Sequence, residues 1–422
     1  MLKEKLRFRN SPTLPVLLFL VSLLLVLILT RRVFFVPKIL IIILVLIAVA
    51  LLGKLKIFLR DWFVFIGFVY LFDSFRGSIF IATCKLQLPV YTLYAIKLEN
   101  FLFGGIPPVL LQKWLLPADS PAGFSWFEKL MAVAHGSHFL AFLLVGFIIW
   151  IYKSNYFRFF KIAFYLVIFL GLFGYFAVPT VPPWMASNFF GLLPRIVRFI
   201  ALIYNMAIPD ISSGFDTNPI AAMPSLHAAF PVLCSLILWR IYRWKATVFY
   251  LYALLMLFVI VYTGEHYIVD VLGGVVLAIF CYFLASKMTK PKTKLEKKHQ
   301  VTETDQGMER GRMYRALIGG MLILVIGIVI GSYNRDQFLK HPAAYNLYAP
   351  KYIDFFKNEQ DYGSNYQVQY YLGSHYFFRG EYQTAILFYE RCLSLGQNDQ
   401  EKKRAEAGLK RCRQLTRPKN DQ

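Results

Sequence analysis

The chain has 422 residues, of which 57% are hydrophobic and 17% charged, and its mean hydropathy is +0.51. This composition excludes an ordinary soluble globular protein and is typical of a polytopic membrane protein. The formal net charge of +22 does not indicate nucleic-acid binding, because the Lys and Arg residues flank apolar runs instead of forming a basic stripe interleaved with aromatic residues.

Apolar runs long enough to cross a bilayer as helices recur along most of the chain. They cover residues 14–30, 33–52, 57–72, 131–152, 159–178, 221–240, 246–263, 266–286 and 315–332. We therefore predict an all-α, polytopic membrane helix bundle. The first two runs are separated by "TRR", which leaves open whether they form a tight hairpin or, in part, an uncleaved signal-like anchor.

The basic residues between the runs predict how the chain crosses the membrane. If the N-terminal "MLKEKLRFR" lies in the cytoplasm, four further basic connections lie there too, namely Lys54/Lys56/Arg60, Lys153/Arg158/Lys161, Arg240/Arg243/Lys245 and Lys287 to Lys298. The extracytoplasmic side then receives residues 73–130, 179–220, 263–266 and everything after Gly331. A short charged N-terminus without a targeting extension suits a bacterial cytoplasmic membrane.

Changes in composition along the chain predict its domain boundaries. We predict N-terminal transmembrane helices at 1–56, the main membrane domain at 57–286, a polar cytoplasmic linker at 287–314, a transmembrane helix at 315–332 and a helical tail at 340–422. In the tail, "YYLGSHYFFRGEYQTAILFYERCLSL" resembles one tetratricopeptide repeat. A single repeat packs on flanking helices or on a protein partner; a plain helical hairpin without a binding role remains an alternative.

The five cysteines show no metal-ligand spacing and no CxxC motif. Cys84, Cys234 and Cys281 lie in or near apolar runs and are predicted to be packing residues. Cys392 and Cys412 fall in the predicted extracytoplasmic tail, where a disulfide is an open alternative. We predict neither a metal nor a cofactor.

Two histidines and one aspartate carry the predicted chemistry. In "GEHYIVD", the four-residue separation of His266 and Asp270 is expected to place both on one face of a helix. A carboxylate that accepts one ring N–H fixes the tautomer, raises the basicity of the other nitrogen and stabilises positive charge on the ring. Such a histidine is a nucleophile for phosphorus or a general base.

The second histidine is His227, in "AAMPSLHAAFPV". It begins an apolar run just after "MPS", where proline is favoured at an early helical position and the first-turn N–H groups attract phosphate. Ser225 is therefore a predicted substrate-binding residue. The predicted topology puts His227 and His266 at the extracytoplasmic ends of their helices, in one membrane leaflet.

"MPSLH" and "HYIVD" resemble the second and third signature motifs of the type 2 phosphatidic acid phosphatase (PAP2) superfamily, usually PSGH and SR followed by HxxxD. This sequence departs from that pattern: Leu226 replaces the motif glycine, no arginine precedes His266 at the expected offset, and no Lys/Arg first motif is apparent. With "PTVPPWMA", "FDSFRG" and "FLFGGIPPVLLQKWL", it is similar to the branch that contains fungal inositol phosphorylceramide synthase and its bacterial relatives.

The resemblance implies a six-helix catalytic core over about residues 60–286 and a phosphohistidine mechanism. His266 would attack phosphorus, Asp270 would orient the ring, and His227 would protonate the departing oxygen and later act as a base. The phosphate still needs cations or N–H donors. Arg76 is the first candidate for this role, and Lys113, Arg195 and Arg198 are the alternatives.

The leading hypothesis is a membrane enzyme that moves a phospho-headgroup, of inositol phosphate type, from a phospholipid donor to an acceptor lipid. The alternative is a phosphatase of lipid phosphates or isoprenoid diphosphates, which requires only that water takes the phosphoryl group. A third, non-catalytic hypothesis makes the membrane core an anchor and the tail a recruiter of an envelope protein.

Overall fold

A computed structural model of the protein describes residues 49, 55–86, 88–116, 124–188, 190, 192–200, 203, 218–289, 304–340, 366–378, 382–397 and 399–416. These residues form the following α-helices: α1 (Leu55–Lys85), α2 (Leu93–Phe103), α3 (Pro107–Leu115), α4 (Trp126–Tyr152), α5 (Phe157–Ala177), α6 (Pro183–Asn188), α7 (Leu226–Tyr242), α8 (Thr247–Tyr262), α9 (Ile268–Met288), α10 (Thr304–Lys340), α11 (Tyr366–Phe378), α12 (Tyr382–Leu395) and α13 (Asp399–Thr416). Apart from Val49, the predicted runs at 14–30 and 33–52 lie outside the described residues.

Membrane-spanning helices dominate the described residues. Five segments are long and apolar enough to cross a bilayer: Ile57–Lys85, Ser154–Ala177, Leu226–Tyr262, Ile268–Met288 and Gly311–Asn334. The bent pair Trp126–His138 and Leu140–Tyr152 within α4 qualifies as a sixth. The prediction of an all-α membrane bundle is confirmed, and the protein is an integral membrane protein.

Segment Leu226–Tyr262 is a helical hairpin. Helices α7 and α8 are joined by a 3-10 turn at Arg243–Ala246. The Ser235 hydroxyl donates to the Phe249 carbonyl at 3.1 Å, and buried Ala228 packs with Met256 and Ile260. These contacts join residues progressively farther from the turn, so the two helices run antiparallel, as the separate predicted runs require.

Helix α5 packs beside α7 and α9 through close contacts at small residues. A Cβ on Gly174 would lie 2.4 Å from Pro224 Cδ, and one on Gly171 would lie 2.9 Å from a Leu226 methyl carbon. Farther along the same helices, Phe164 stacks on Phe230 with ring centroids 5.2 Å apart. Close packing of this kind fixes where α7 begins.

Three extended segments meet just before α7. Thr180 of "PTVPPW" pairs with Tyr91 on one side and with Ala221 on the other, in parallel bridges. The Thr180 N–H donates to the Ile220 carbonyl at 2.8 Å, and the Tyr94 and Thr180 hydroxyls share a hydrogen bond of 3.0 Å. The proline-rich segment therefore holds the chain that leads into "MPSLH".

Helices α2 and α3 are short and each contributes a buried polar side chain, although both expose large apolar residues such as Phe101 and Trp114. The Gln112 amide donates to the Val197 and Tyr262 carbonyls at 3.1 and 3.0 Å, and its oxygen accepts from the Val197 N–H at 2.8 Å. Gln112 thus ties the loop around Val197 to the end of α8.

The described residues fall into two compact units, divided within α1 after Phe75 and within α10 after Tyr333. In the first unit, α10 packs on α1 through small residues. A Cβ on Gly320 would lie 2.2 Å from Phe63 Cδ1, and the Ser74 hydroxyl donates to the Gly327 carbonyl at 2.9 Å. Small residues let membrane helices approach closely in this way. Helix α10 already begins within the stretch predicted as a linker.

Helices α11, α12 and α13, here called the tail helices, belong to the second unit. The Tyr389 ring lies between two glycines: a Cβ would come within 2.9 Å of it from Gly373 and within 2.7 Å from Gly408. Cys392 and Cys412, for which a disulfide was an open alternative, are both free and buried. The likeness to a tetratricopeptide repeat stays a prediction.

Candidate active site

His227 lies at the start of α7, in a turn fixed by backbone contacts. Ser225 is the N-cap of the helix, and its hydroxyl oxygen accepts from the Ala228 N–H at 3.3 Å. The Ser225 N–H donates to the Asp270 carbonyl at 3.0 Å. This bond joins the turn that carries His227 to the first turn of α9. Pro224 precedes the N-cap, which corrects the expectation that it occupies an early helical position.

Two glycines of α9 make this approach possible. A Cβ on Gly274 would lie 2.1 Å from the Ser225 carbonyl oxygen, and one on Gly273 would lie 2.6 Å from Met223 Cε. The first neighbour is backbone and cannot move aside cheaply. The glycine pair after "HYIVD" therefore lets the two motifs come together.

His266 lies outside the helix that contains Asp270. Helix α9 begins at Ile268, and Asp270 Oδ2 accepts from the Tyr267 N–H at 3.0 Å. This corrects the expectation of a shared helix face: the N-terminal capping bond of Asp270 starts the helix after His266. His266 Nδ1 and Asp270 Oδ2 are 3.8 Å apart, longer than a direct hydrogen bond. Their interaction is electrostatic here, and such contacts often shorten when substrate binds.

The two predicted histidines contact each other directly. His227 Nδ1 and His266 Nε2 are 3.1 Å apart, so one nitrogen carries a proton and donates it to the other. Only 4% of the His266 surface is exposed, and Asp270 is fully buried. The structure thus brings the three predicted catalytic residues into one group, in which His266 and Asp270 are buried and His227 is half-buried.

Two further histidines, which our sequence reasoning missed, join this group from α4. His138 lies edge to face with His227 at a centroid distance of 4.1 Å, and His135 stacks on His227 at 5.1 Å. Both are buried. A signal was present in the sequence: "HGSH" places two histidines three residues apart in an apolar run, which puts them on neighbouring helix positions.

The tautomer of His138 follows from its backbone contact. Its Nδ1 is 2.5 Å from the His135 carbonyl oxygen. A carbonyl only accepts, so Nδ1 carries the proton and Nε2 of the neutral ring is bare. Among the described residues, no group of three or more His, Cys, Asp or Glu side chains is arranged to hold a metal ion.

Arg76 lies near the histidines, as predicted, although its position in the chain differs from expectation. It lies within α1, which continues to Lys85 instead of ending before Arg76. It is within electrostatic range of His138, His227 and Tyr175. A guanidinium there supplies positive charge to the histidine group.

Arg198 lies next to the segment that carries His266. Its guanidinium makes a two-pronged ion pair with Glu265, with Nε–Oε1 and Nη2–Oε2 distances of 2.7 and 3.2 Å. It also lies 4.0 Å from the centre of the Trp184 ring and within electrostatic range of His135. The negative charge of Glu265 balances the positive charge of Arg198.

The two remaining predicted cations are exposed. Lys113 lies on the surface of α3. Arg195 lies in the loop before Arg198 and is within electrostatic range of Tyr370 and Arg411 of the tail helices. Arg195 thus interacts with the tail helices, whereas Arg76 and Arg198 interact electrostatically with histidines of the group.

Comparison with known proteins gives a consistent result. A PAP2 superfamily profile matches residues 97–284. The chain is 29% identical over 225 residues, 48% of this chain and 49% of the relative, to the inositol phosphorylceramide synthase catalytic subunit of Schizosaccharomyces pombe. It is 33% identical over 138 residues, 30% of this chain and 44% of the relative, to the phosphoinositol dihydroceramide synthase of Bacteroides thetaiotaomicron.

The chain thus spans about half the length of the curated relatives it matches. No solved structure matches it significantly. The family match contains His135, His138, His227, His266 and Asp270, and so covers the whole histidine group. Residues 97–284 therefore match the PAP2 superfamily, and the chain is similar to two synthases of the inositol phosphorylceramide type.

Proposed function

We propose that this protein is a membrane lipid phosphotransferase that moves an inositol phosphate-type headgroup from a phospholipid to the hydroxyl of an acceptor lipid. The observation that carries the proposal is the partly buried contact between His227 Nδ1 and His266 Nε2 at 3.1 Å, with Asp270 beside His266. Its relatives are named as synthases that join a phosphoinositol group to a ceramide or a dihydroceramide.

In the first step His266 is the nucleophile. The lone pair on Nε2 forms a bond to phosphorus while the bond from phosphorus to the glycerol oxygen of the donor breaks. Protonated His227 gives its proton to that oxygen, so the donor leaves as a neutral diacylglycerol. The Asp270 carboxylate stabilises the positive charge that develops on the His266 ring.

In the second step the acceptor lipid takes the headgroup. Its hydroxyl oxygen attacks phosphorus, the bond from phosphorus to His266 Nε2 breaks, and His227 accepts the hydroxyl proton. Both histidines return to their starting protonation states. Water in place of the acceptor hydroxyl would make the same site a phosphatase, which is the competing outcome that an experiment must separate.

We assign phosphate binding first to Arg76 and next to Arg198. Arg76 is supported by its electrostatic range to His138 and His227. Arg198 is supported by its ion pair with Glu265, which adjoins His266. A phosphate oxygen would compete with the Glu265 carboxylate for the guanidinium. Ser225, at the N-cap of α7, stays a predicted substrate-binding residue, although its own N–H already donates to the Asp270 carbonyl.

The distribution of Lys and Arg supports an extracytoplasmic active site and tail, with the donor and acceptor both drawn from that leaflet. A bacterial cytoplasmic membrane is the setting we infer from the charged N-terminal sequence. Recruitment of a protein partner through the tail helices is a further prediction.

The test is lipid mass spectrometry on the purified full-length protein. Wild type and His266→Ala would receive phosphatidylinositol and isoprenoid diphosphates as donors, with diacylglycerol and ceramide as acceptors, and free phosphate would be measured in parallel. We expect a new headgroup-bearing lipid from wild type, without matching phosphate release, and a loss of at least about 1,000-fold in His266→Ala. Phosphate release without a new lipid would instead show a phosphatase.

A further inference from the structure

The first turn of α9 needs hydrogen-bond acceptors because the first N–H groups of any α-helix lack partners within the helix. Its N-cap residue, Tyr267, provides no side-chain cap bond. Asp270, in the first turn, accepts from the N–H of Tyr267 itself. Another acceptor is therefore required for the N–H of Ile268, the residue that begins the helix two positions after His266.

Glu99 of α2 supplies this acceptor from a distant part of the chain. Its Oε1 accepts a hydrogen bond from the Ile268 N–H, and the Val269 N–H also stabilises its carboxylate. A carboxylate at a helix N-terminus is favourable for the helix dipole as well. The start of α9, and with it the segment that carries His266, is thus anchored on α2.

Glu99 is an unusual residue to use as a simple anchor because its side chain is fully buried. Among the described residues, no hydrogen-bond partner reaches its Oε2, nor Asp270 Oδ1 or the Tyr267 hydroxyl. Burial and, to a smaller extent, the nearby charge of Asp270 raise the pKa of Glu99 to about 7, although the two N–H bonds lower it. A neutral anchor such as Gln would avoid this desolvation cost.

We propose that Glu99 is a positioning residue of the active site, which holds the first turn of α9 and whose negative charge adds to that of Asp270 in stabilising positive charge on His266. This inference rests on the proposed function, since it concerns the same nucleophile. An ionised Glu99 places a second negative charge near Asp270, and this favours the positive His266 ring that forms as the phosphohistidine is made.

The pH dependence follows from the groups around Glu99. Tyr267 and Asp270 are close enough to interact with Glu99 electrostatically. Tyr94 and His266 in turn interact with Asp270. Burial raises the hydroxyl pKa of both Tyr94 and Tyr267, so these two stay neutral near pH 7. We therefore expect kcat to rise as Glu99 loses its proton around pH 7.

The experiment compares wild type, Glu99→Gln and Glu99→Ala across about pH 5.5 to 8.5. Gln keeps an acceptor for the Ile268 N–H but has no charge, so we expect kcat within about 10-fold of wild type and no rise around pH 7. Ala removes the acceptor, so we expect kcat to fall by more than about 10-fold at every pH. Glu128→Gln is the matched control, because Glu128 is also buried but bonds to Ser125 and Tyr262.

Thermal unfolding without substrate provides a readout that does not depend on the proposed function. A folded-state pKa above the ordinary value means that the folded protein loses stability as pH rises toward 7. Wild type should therefore melt at a lower temperature at pH 8 than at pH 6, and Glu99→Gln should lack this part of the dependence.

Outcomes of the two readouts are separable. Inactivity of wild type on every donor would overturn the proposed function, while the melting curves would still test Glu99. A Glu99→Gln enzyme with the wild-type rise around pH 7, or a fully active Glu99→Ala enzyme, would overturn the role of Glu99. Identical pH dependence of melting in wild type and Glu99→Gln would do the same.

Discussion

The His227 ring is surrounded by other imidazoles, with His266 on one side and His135 and His138 of α4 on the other. A residue that serves first as acid and then as base needs a fixed ring orientation in both states. The edge-to-face contact with His138 restricts the orientation of the His227 ring. We therefore expect His138 to influence the reaction by orienting His227.

We predict that His138→Ala lowers kcat by about 10- to 100-fold, the cost typical of removing a group that orients a functional histidine. The KM for the donor should change little, because His138 acts on the proton-transferring ring. Steady-state kinetics with the lipid assay would measure both constants. Ser137→Ala is the control. Ser137 is next to His138 in the chain, but its side chain bonds to Tyr252 on α8, so the substitution should leave kcat near wild type. Equal effects of the two variants would contradict this prediction.

The residues found from the sequence and those missed differ in how their signal is encoded. His227, His266 and Asp270 lie in short local motifs, so residue type and spacing were sufficient to select them. Glu99, Gln112, His135 and His138 act by contacts across long chain separations, such as the bond from Glu99 to the Ile268 N–H. In one sequence, a glutamate or a glutamine on a short amphipathic helix looks like an ordinary surface residue, and its burial becomes apparent only in the fold.

At the scale of elements, hydrophobic runs predicted the spanning helices well, since the bilayer fixes their length and composition. Their ends were predicted less well. Helix α1 continues past Asp73 and Arg76 to Lys85, because a helix keeps its backbone bonds beyond the point where its side chains become polar. Helix α9 starts two residues after His266 because capping by Asp270 and Glu99 decides the first turn.

The tail helices contact the catalytic domain of their own chain. Arg404 of α13 donates to the Leu193 carbonyl at 2.6 Å, and Leu372 of α11 packs against the buried cluster that includes Trp184 and Ile196. The loop contacted in this way leads into Arg198, the partner of Glu265. A tail bound here stabilises that loop, and this role is compatible with recruitment of a further protein.

We predict that Arg404→Ala increases amide hydrogen exchange of residues 192–198 by about 10-fold or more, because a hydrogen bond from a charged donor contributes about 1.5–3 kcal/mol. Hydrogen-exchange mass spectrometry of the detergent-solubilised protein would measure it. In Arg413→Ala, which removes an exposed ion pair with Glu390 inside the tail, exchange of the same residues should stay unchanged. Unchanged exchange in Arg404→Ala would mean that the contact with Leu193 does not hold the loop.

At the scale of the whole molecule, the high apolar content and the positive charge have separate physical roles. Large apolar side chains remain exposed along the spanning helices, including Phe169 and Phe173 of α5 and Leu251 and Leu254 of α8. Such exposure is costly in water and favourable in lipid. The Lys and Arg residues instead predict the orientation of the protein in the membrane. The turn between α7 and α8 carries Arg243 and Lys245, whereas His266 follows the opposite end of α8.

This separation makes the orientation testable with single cysteines. Helix α8 runs over 16 residues, about 24 Å at 1.5 Å per residue, so its two ends face opposite sides of the bilayer. We predict that a membrane-impermeant maleimide labels Asn100→Cys in intact cells and labels Lys245→Cys only after the membrane is opened. Both positions are exposed, and the native cysteines are buried, so background labelling should be low. The reverse pattern would place the histidine group on the cytoplasmic side and move the donor and acceptor lipids to that leaflet.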